Sequence, residues 1–151
     1  MISTDLTAVA REVRIHARPD TIFPFFTDPE RMTGWMGTEA QLDARPGGGL
    51  YVLVAGRNPA RGEFVEVDPP NRVVFTWGWD SPDWSVAPGG STVEVTLTAE
   101  GEGTRVVLVH RDLPSDDAAS GHDAGWDHYL ARLAVAGGGG DAGPDIGPAA
   151  S

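Results

Sequence analysis

The sequence contains no cysteine and no lysine, and each absence limits what the protein can be. Without cysteine, disulfide bonds, thiolate metal sites and a cysteine nucleophile are all excluded. The absence of lysine, beside a high content of alanine, glycine and proline, indicates the codon bias of a GC-rich bacterial genome. We therefore attach no functional meaning to the use of arginine as the only strongly basic side chain.

Positive charge is also scarce, because the sequence has 11 basic and 22 acidic residues, which gives a net charge of −11. Such a chain repels phosphate backbones and anionic headgroups, so we expect neither a nucleic-acid partner nor a membrane surface. The first residues lack the basic start and long apolar run of a signal peptide, and no stretch has the length of a membrane span. These features predict a cytoplasmic protein, and its length suits one domain.

Alternating apolar and polar residues predict a sheet of six to seven antiparallel strands. One of these strands follows the turn Asp68–Asn71, and Val73, Phe75, Trp77 and Trp79 lie along it at a period of two. Residues at this spacing share one face of a strand, so they form a broad aromatic wall that another element must cover. The predicted strands span residues 7–17, 38–45, 50–54, 62–67, 73–79, 92–98 and 105–111.

Helical signals lie on either side of this series of strands. Pro19 and the Asp28-Pro29 pair each begin a short helix directly after the first strand. From Ser115 onward, large apolar residues at spacings of three and four predict one long helix, the natural cover for the aromatic wall. Residues 137–151 are mainly Gly, Ala, Asp and Pro, which predicts a disordered tail. The expected domain therefore spans residues 7–136 and belongs to the α+β class.

Short motifs also recur in a characteristic order along residues 7–136. They are Ile22-Phe23, Phe26-Thr27-Asp28-Pro29-Glu30, Trp35, Arg45-Pro46-Gly47-Gly48, Gly62 with Phe64 and Glu66, Asp68-Pro69-Pro70, Val73 to Trp77, Thr104-Arg105 with His110, and Gly125-Trp126 with Leu130. In these motifs the chain resembles the START-like helix-grip superfamily, also called SRPBCC. Within it, the chain resembles the family of homologues of the activator of the heat-shock protein 90 ATPase. The resemblance implies a curved antiparallel sheet wrapped around a long C-terminal helix.

Members of this superfamily are similar in having a cavity between sheet and helix, which implies a small hydrophobic or aromatic ligand. The entrance is expected near Trp35 and the short helices. Aromatic side chains at these periods also build ordinary cores, so a cavity filled by the protein's own side chains stays open as an alternative. The resemblance and the strand parity together predict that the ligand site consists of Phe26, Trp35, Leu50, Val52, Val54, Phe64, Phe75, Trp77, Val95, Leu108, His110, Trp126 and Leu130.

Two ionisable side chains, Glu66 and His110, are turned inward by strand parity. They are candidates for an acid/base pair, and the alternative is a satisfied internal hydrogen bond. No cofactor is expected. His122 and His128 are six residues apart on the last helix and face different directions, so we expect a solvated helix surface there and no metal site.

Two further residues stand out in their local context. Gly125 within a helix costs roughly 1 kcal/mol relative to alanine, which indicates a close approach of the helix backbone to an aromatic ring. Trp84 lies in the Pro/Gly-rich loop between Asp80 and Gly90, where it is either a lid residue or part of an interaction patch.

Three functions are compatible with the sequence. The favoured one is a binding module that holds a small hydrophobic molecule without turnover. The second is an enzyme of the polyketide cyclase/dehydratase or hydrolase type that uses Glu66 and His110. The third is a chaperone-interacting protein, which we do not favour because the chain is one small domain without the attached second domain of the named chaperone activators. A homodimer stays open.

Overall fold

Seven strands form a single antiparallel sheet in the structure, a computed structural model that describes residues 7–148. Their order across the sheet is β1-β7-β6-β5-β4-β3-β2, so all strands except β1 are neighbours in sequence order. The strands are β1 (Thr7–Ile15), β2 (Ala40–Leu42), β3 (Gly49–Val54), β4 (Asn58–Asp68), β5 (Arg72–Trp79), β6 (Ser91–Glu100) and β7 (Gly103–Leu113).

The helices lie where the sequence predicted them. Between β1 and β2 the chain forms α1 (Pro19–Ile22), a 3-10 helix (Phe23–Phe26) and α2 (Pro29–Met32). After β7 it forms the long helix α3 (Asp116–Gly137), which Ser115 caps by accepting a hydrogen bond of 3.1 Å from the amide of Ala118. The predicted α+β helix-grip class, with a seven-stranded sheet and a long C-terminal helix, is confirmed.

Helix α3 covers the aromatic wall of β5. Val73, Phe75 and Trp77 are each at most 2% exposed. The ring of Trp77 lies 5.8 Å from that of Trp126 on α3, in a tilted arrangement. Buried aromatic pairs at this separation stabilise a fold beyond the area they bury. The wall and its cover therefore form the centre of the core.

A charged clamp fixes the other side of α3 to β1. The Arg11 guanidinium reaches Asp123 at 2.7 Å and Asp127 at 2.9 Å. These two carboxylates are one turn apart and therefore lie on the same face of α3. Since all three side chains are partly exposed, the clamp sets the rotation of the helix more than it adds to stability.

A β-bulge in β4 changes which face Glu66 occupies. The register shifts between Phe64, which pairs with Phe75, and Glu66, which pairs with Val74. A bulge places one additional residue in a strand, so the alternation beyond it is reversed. Glu66 consequently lies on the face opposite the helix, where its carboxylate is 3.2 Å from Arg72. The parity prediction that turned Glu66 inward is wrong.

The loop between β5 and β6 lies flat against the end of β5. The amide of Trp79 donates to the carbonyl of Val86 at 2.8 Å, and Val86 is only 2% exposed. Gly78 makes this approach feasible, because a Cβ atom at that position would lie 1.6 Å from the carbonyl oxygen of Ala87. The loop therefore holds Trp84 over the end of the aromatic wall.

Residues 138–148, which the sequence predicted to be part of a disordered tail, fold back on the domain, and we call them the C-terminal strap. Arg132 donates to the carbonyls of Ala142 and Gly143 at 2.8 Å each. Asp145 is 4% exposed, and one buried carboxylate without apolar periodicity gives no signal in the sequence. The final residues of the predicted tail, 149–151, lie outside the described residues.

Asp145 anchors the strap through four hydrogen bonds. It accepts from the amides of Gly37 at 2.7 Å, Ala55 at 2.9 Å and Gly147 at 3.0 Å, and from the Tyr129 hydroxyl at 2.8 Å. Burial opposes ionisation of Asp145, but these donors outweigh it and hold the pKa of its carboxyl below the usual range.

Within the part of the chain that the structure describes, no helix is long and apolar enough to cross a membrane.

Replacing this anchor tests how far the strap belongs to the fold. We expect Asp145→Ala to lower the free energy of unfolding in urea by about 3 kcal/mol, because buried donors lose a charged acceptor. The control is Asp141→Ala, which removes an exposed strap carboxylate that, among residues 7–148, accepts only from Gly143. Equal stability of the two variants would show that the strap does not contribute.

Candidate functional site

A cavity of about 170 Å³ lies between β5, helix α3, the turn from β3 to β4 and the C-terminal strap. Exposed residues surround its mouth, among them Arg57, Trp84, Ala124 and Pro148, and its interior is aromatic. It is lined by Met36, Val54, Ala55, Arg57, Asn58, Trp77, Trp79, Trp84, Gly121, His122, Ala124, Gly125, Trp126, Tyr129 and Pro148.

Four indole rings are among the groups that line the cavity. Trp79 contacts Trp77 edge to face at 5.5 Å, and Trp84 stacks on Trp79 at 4.4 Å with an interplanar angle of 21°. Trp84 is 38% exposed, so it covers the wall at the boundary with solvent. Of the two predictions for Trp84, the lid position matches this placement.

The helix side of the cavity is open because two of its residues have no side chain. Gly121 and Gly125 are one turn apart on α3, and a Cβ atom built on either one meets no other atom within 4 Å. The prediction that Gly125 allows a close approach to an aromatic ring is therefore wrong. Both glycines instead leave space that larger residues would occupy.

His110 is held by a directed chain of hydrogen bonds. The Trp126 indole N–H donates to His110 Nδ1 at 2.9 Å, so Nε2 carries the proton of the neutral ring. His110 Nε2 lies 2.7 Å from Ser91 Oγ, and Ser91 donates to the carbonyl of Trp77 at 2.6 Å. Every polar atom of the imidazole is satisfied, which matches the alternative of an internal hydrogen bond.

A second indole–imidazole pair joins the same elements. The Trp79 indole N–H donates to His122 Nε2 at 3.0 Å, and His122 Nδ1 donates to the carbonyl of Ala118 at 2.7 Å. His122 is 8% exposed, so the expectation of a solvated helix surface at this residue is wrong. The available signal was the spacing of His122 four residues before Trp126, which places both on one face of α3.

Burial keeps both imidazoles uncharged. It lowers the pKa of His110 to about 3, with a further contribution from His122, whose ring centroid is 4.8 Å away. Burial also lowers the pKa of His122, although the carbonyl of Ala118 opposes this shift. Two neutral rings can therefore lie in edge-to-face contact without charge repulsion.

The structure does not bring the two acid/base candidates together. His110 lies on the helix side of the sheet with no free lone pair, and Glu66 lies on the other face beside Arg72. Among residues 7–148, no group of three or more histidine and acidic side chains is arranged to hold a metal ion.

One polar atom of the buried Trp77 side chain is left without a partner. The Trp77 indole Nε1 is buried and has no hydrogen-bond partner among the described residues. A buried donor without an acceptor costs about 1–3 kcal/mol relative to a satisfied one. Orphaned groups of this kind are rare in folded proteins, and this one is covered by the surrounding side chains, so a molecule in the cavity does not contact it.

The predicted ligand-site residues divide into two groups. Val54, Trp77 and Trp126 line the cavity, and His110 lies directly behind Trp126. The remaining predicted residues are buried core outside the lining, which is the filled-core alternative: Phe26, Trp35, Leu50, Val52, Phe64, Phe75, Val95, Leu108 and Leu130. Trp35 donates its indole N–H to the carbonyl of Phe25 and is fully buried, whereas the next residue, Met36, lines the cavity.

A larger groove of about 440 Å³ lies elsewhere, over β2, β3 and β4, and is the weaker candidate. Its wall includes Arg61, whose guanidinium lies 4.5 Å over the ring of Tyr51 and binds Asp80 at 2.9 Å. These groups are already paired with each other. The indole-lined cavity is therefore the candidate functional site.

The buried state of His110 predicts how stability depends on pH. Its pKa is about 3 in the folded protein and near 6.5 when unfolded, so the unfolded state binds more protons between these values. As the pH decreases from 6 to 4, we expect the contribution of His110 to the free energy of unfolding to fall by about 1.4 kcal/mol per pH unit. His110→Gln keeps an acceptor for Trp126 but does not titrate. In urea unfolding, the free energy of unfolding of this variant should decrease with falling pH less steeply than that of the wild type, by that amount. An NMR titration of the His110 ring with a midpoint near 6.5 would contradict the assignment.

Comparisons with known proteins agree with this architecture. An AHSA1-like protein from Rhizobium etli, solved by NMR, is 45% identical over 93% of this chain and 88% of that chain, with a TM-score of 0.73. CalU16 from Micromonospora echinospora is 27% identical over 85% of this chain and 74% of that one, with a TM-score of 0.68. DynU16, from the dynemicin biosynthetic locus, is 25% identical over 91% of this chain but only 50% of its own, with a TM-score of 0.77.

More distant structures share the fold alone. These include an HSP90 activator from Plasmodium falciparum at 22% identity and the Aha1 dimer from Colwellia psychrerythraea at 17%. A search of curated proteins found no match. The family model for Activator of Hsp90 ATPase homolog 1-like protein matches residues 16–138, which is most of the domain. The chain therefore belongs to the family of Activator of Hsp90 ATPase homolog 1-like proteins.

Proposed function

We propose that this protein binds a small, single-ring aromatic molecule in the cavity between β5 and α3. The observation that carries the proposal is a cavity walled by indole faces on the sheet side and left open by Gly121 and Gly125 on the helix side. An apolar, concave space with few polar groups is the usual form of a small-molecule site.

The volume of the cavity limits the size of the ligand. A dry apolar cavity of about 150 Å³ is sufficient to hold benzene, whereas ligand pockets for larger molecules are about 300 Å³ or more. The 170 Å³ found here accommodates one ring. A two-ring ligand requires Trp84 to leave its stacked position on Trp79, and the exposed side of Trp84 permits such a movement.

The similarity to DynU16 supports a role with small molecules, since that protein comes from a biosynthetic locus. Because this chain spans half of DynU16, the likeness concerns one domain and not the whole of that protein. For an enzyme of the cyclase/dehydratase or hydrolase type, the two candidate residues Glu66 and His110 lie on opposite faces of the sheet. Binding without turnover is therefore the function we favour.

A chaperone contact has no comparable support. The HSP90 activator from Plasmodium falciparum is 22% identical to this chain, and an identity this low shows only that the two proteins share a fold. A shared fold does not imply a shared binding partner, because proteins with unrelated functions have folds of this kind. The cavity, by contrast, is a property of this chain's own residues.

Filling the cavity tests the proposal directly. Gly125→Leu places a branched side chain in the open space, and we expect it to weaken toluene binding at least about tenfold, which corresponds to about 1.4 kcal/mol. The measurement is toluene titration followed through the backbone amide shifts of Gly121 and Ala124. The mutated helix should remain stable, since leucine is a better helix former than glycine.

The matched control for this variant is Ala131→Leu. Ala131 lies on the same helix, is exposed and does not line the cavity. We expect wild-type toluene binding in this variant, because the added leucine points to solvent. Equal toluene affinity in Gly125→Leu and Ala131→Leu would show that the cavity is not the binding site.

A further inference from the structure

The C-terminal strap borders the mouth of the cavity and is fastened to three segments around it. Its residue Pro148 lines the cavity. Asp145 accepts from the amide of Ala55 in the turn from β3 to β4 and from the Tyr129 hydroxyl on α3, and both of these donor residues line the cavity. It also accepts from the amide of Gly37, which directly follows another lining residue. One carboxylate therefore joins the strap to three separate parts of the cavity wall.

The strap is held by polar contacts and buries no large apolar side chain. Its one large aliphatic residue, Ile146, is 77% exposed. Within the described residues, no backbone-to-backbone hydrogen bond joins residues 141–148 to the domain. Besides the carboxylate, Arg132 on α3 holds the strap by donating to two of its carbonyls at 2.8 Å each. A segment with so few buried apolar contacts opens at a lower free-energy cost than the core does.

A run of glycines forms a hinge between α3 and the rest of the strap. Residues 137–140 are four consecutive glycines, and α3 ends at the first of them. Gly137 is packed so closely that a Cβ atom there would lie 2.7 Å from Cδ1 of Ile22, which fixes the end of the helix. Gly139 has a φ of +94°, a conformation that glycine adopts without strain. The strap can therefore rotate about residues 138–140 while α3 keeps its position.

The loop that carries Trp84 borders the same mouth but is fastened differently. Val86 of this loop is 2% exposed, and its carbonyl accepts from the amide of Trp79. Trp84 stacks on the Trp79 ring at 4.4 Å. Opening of the loop therefore exposes apolar surface to water, whereas opening of the strap mainly exposes polar groups that water can satisfy. The strap is the side of the mouth that opens at the lower cost.

We propose that the C-terminal strap is a reversible gate through which a ligand enters and leaves the cavity, with Asp145 as its latch and residues 138–140 as its hinge. This inference rests on the proposed function, because it names the route to the same site. Release of Asp145 frees three segments at once and moves Pro148 away from the mouth. Since Pro148 is the only described strap residue in the lining, most ligand contacts come from the rest of the domain. A weaker latch should therefore accelerate ligand exchange more than it changes affinity.

Asp145→Ala in the full chain removes the latch. We expect the association and dissociation rate constants of toluene to increase together by at least about tenfold, while its dissociation constant changes by less than about threefold. Line-shape and relaxation-dispersion analysis of the Gly121 and Ala124 amide signals during a toluene titration gives both rate constants. The matched control is Asp141→Ala, which removes an exposed strap carboxylate and should keep the wild-type exchange rates.

Hydrogen exchange of the wild-type protein tests the latch without a substitution. The amides of Gly37 and Ala55 lie in separate turns but donate to the same carboxylate. If one opening exposes both, their protection factors should agree within about threefold and lie well below those of β6 in the middle of the sheet. Unequal protection of the two amides, or protection as high as that of β6, would overturn the gate.

The outcomes distinguish the gate from the function on which it rests. Wild-type exchange rates in Asp145→Ala would overturn the gate, and acceleration in Trp84→Ala alone would place the entrance at the loop instead. Loss of toluene binding in a folded Asp145→Ala variant would show that the strap shapes the site and does not gate it. In each of these cases, wild-type toluene binding that Gly125→Leu weakens leaves the proposed function standing. If toluene does not bind the wild-type protein, the proposed function and the gate fall together.

Discussion

Two indole–imidazole hydrogen bonds, running in opposite directions, determine how helix and sheet meet in this protein. Trp126 on α3 donates to His110 on the sheet, and Trp79 on the sheet donates to His122 on α3. Each bond needs a neutral imidazole with one free lone pair, which burial secures by disfavouring the charged form. The reciprocal pair fixes both the distance of α3 from the sheet and its rotation, a constraint that apolar contacts alone impose less strictly.

The cavity follows from this constraint. Because the two bonds and the Arg11 clamp hold α3 in place, the helix cannot move inward to fill the gap that Gly121 and Gly125 leave. The strap closes one side of that gap and is itself held by Asp145. The polar groups of this region are thus paired with one another, and the unpaired indole N–H of Trp77 is the exception within the described residues. A frame held in this way keeps the cavity preorganised, which reduces the ordering cost of binding.

The sequence predicted the strands and helices that surround the cavity better than it predicted the cavity itself. Period-two and helical spacings placed Trp77 and Trp126 correctly, because these residues lie in regular elements. Glu66 was misplaced because a bulge reverses strand parity without a composition signal. Gly125 was misread because a glycine permits close approach and empty space equally well, and only the surrounding atoms decide between them. Asp145 was missed because three of its four donors, Gly37, Ala55 and Tyr129, lie at least 16 residues away in the chain.

The gathering of indoles has a spectroscopic consequence. Trp77 has neighbours at 5.5 and 5.8 Å, and Trp84 stacks on Trp79 at 4.4 Å. Transition dipoles this close exchange excitation energy and split into coupled bands, so four of the five tryptophans act as one chromophore around the cavity. Trp35 lies apart, fully buried and bonded to the carbonyl of Phe25. We therefore expect the tryptophan circular dichroism of the protein to arise mainly from the walls of its cavity, so that the native chain reports optically on what enters there.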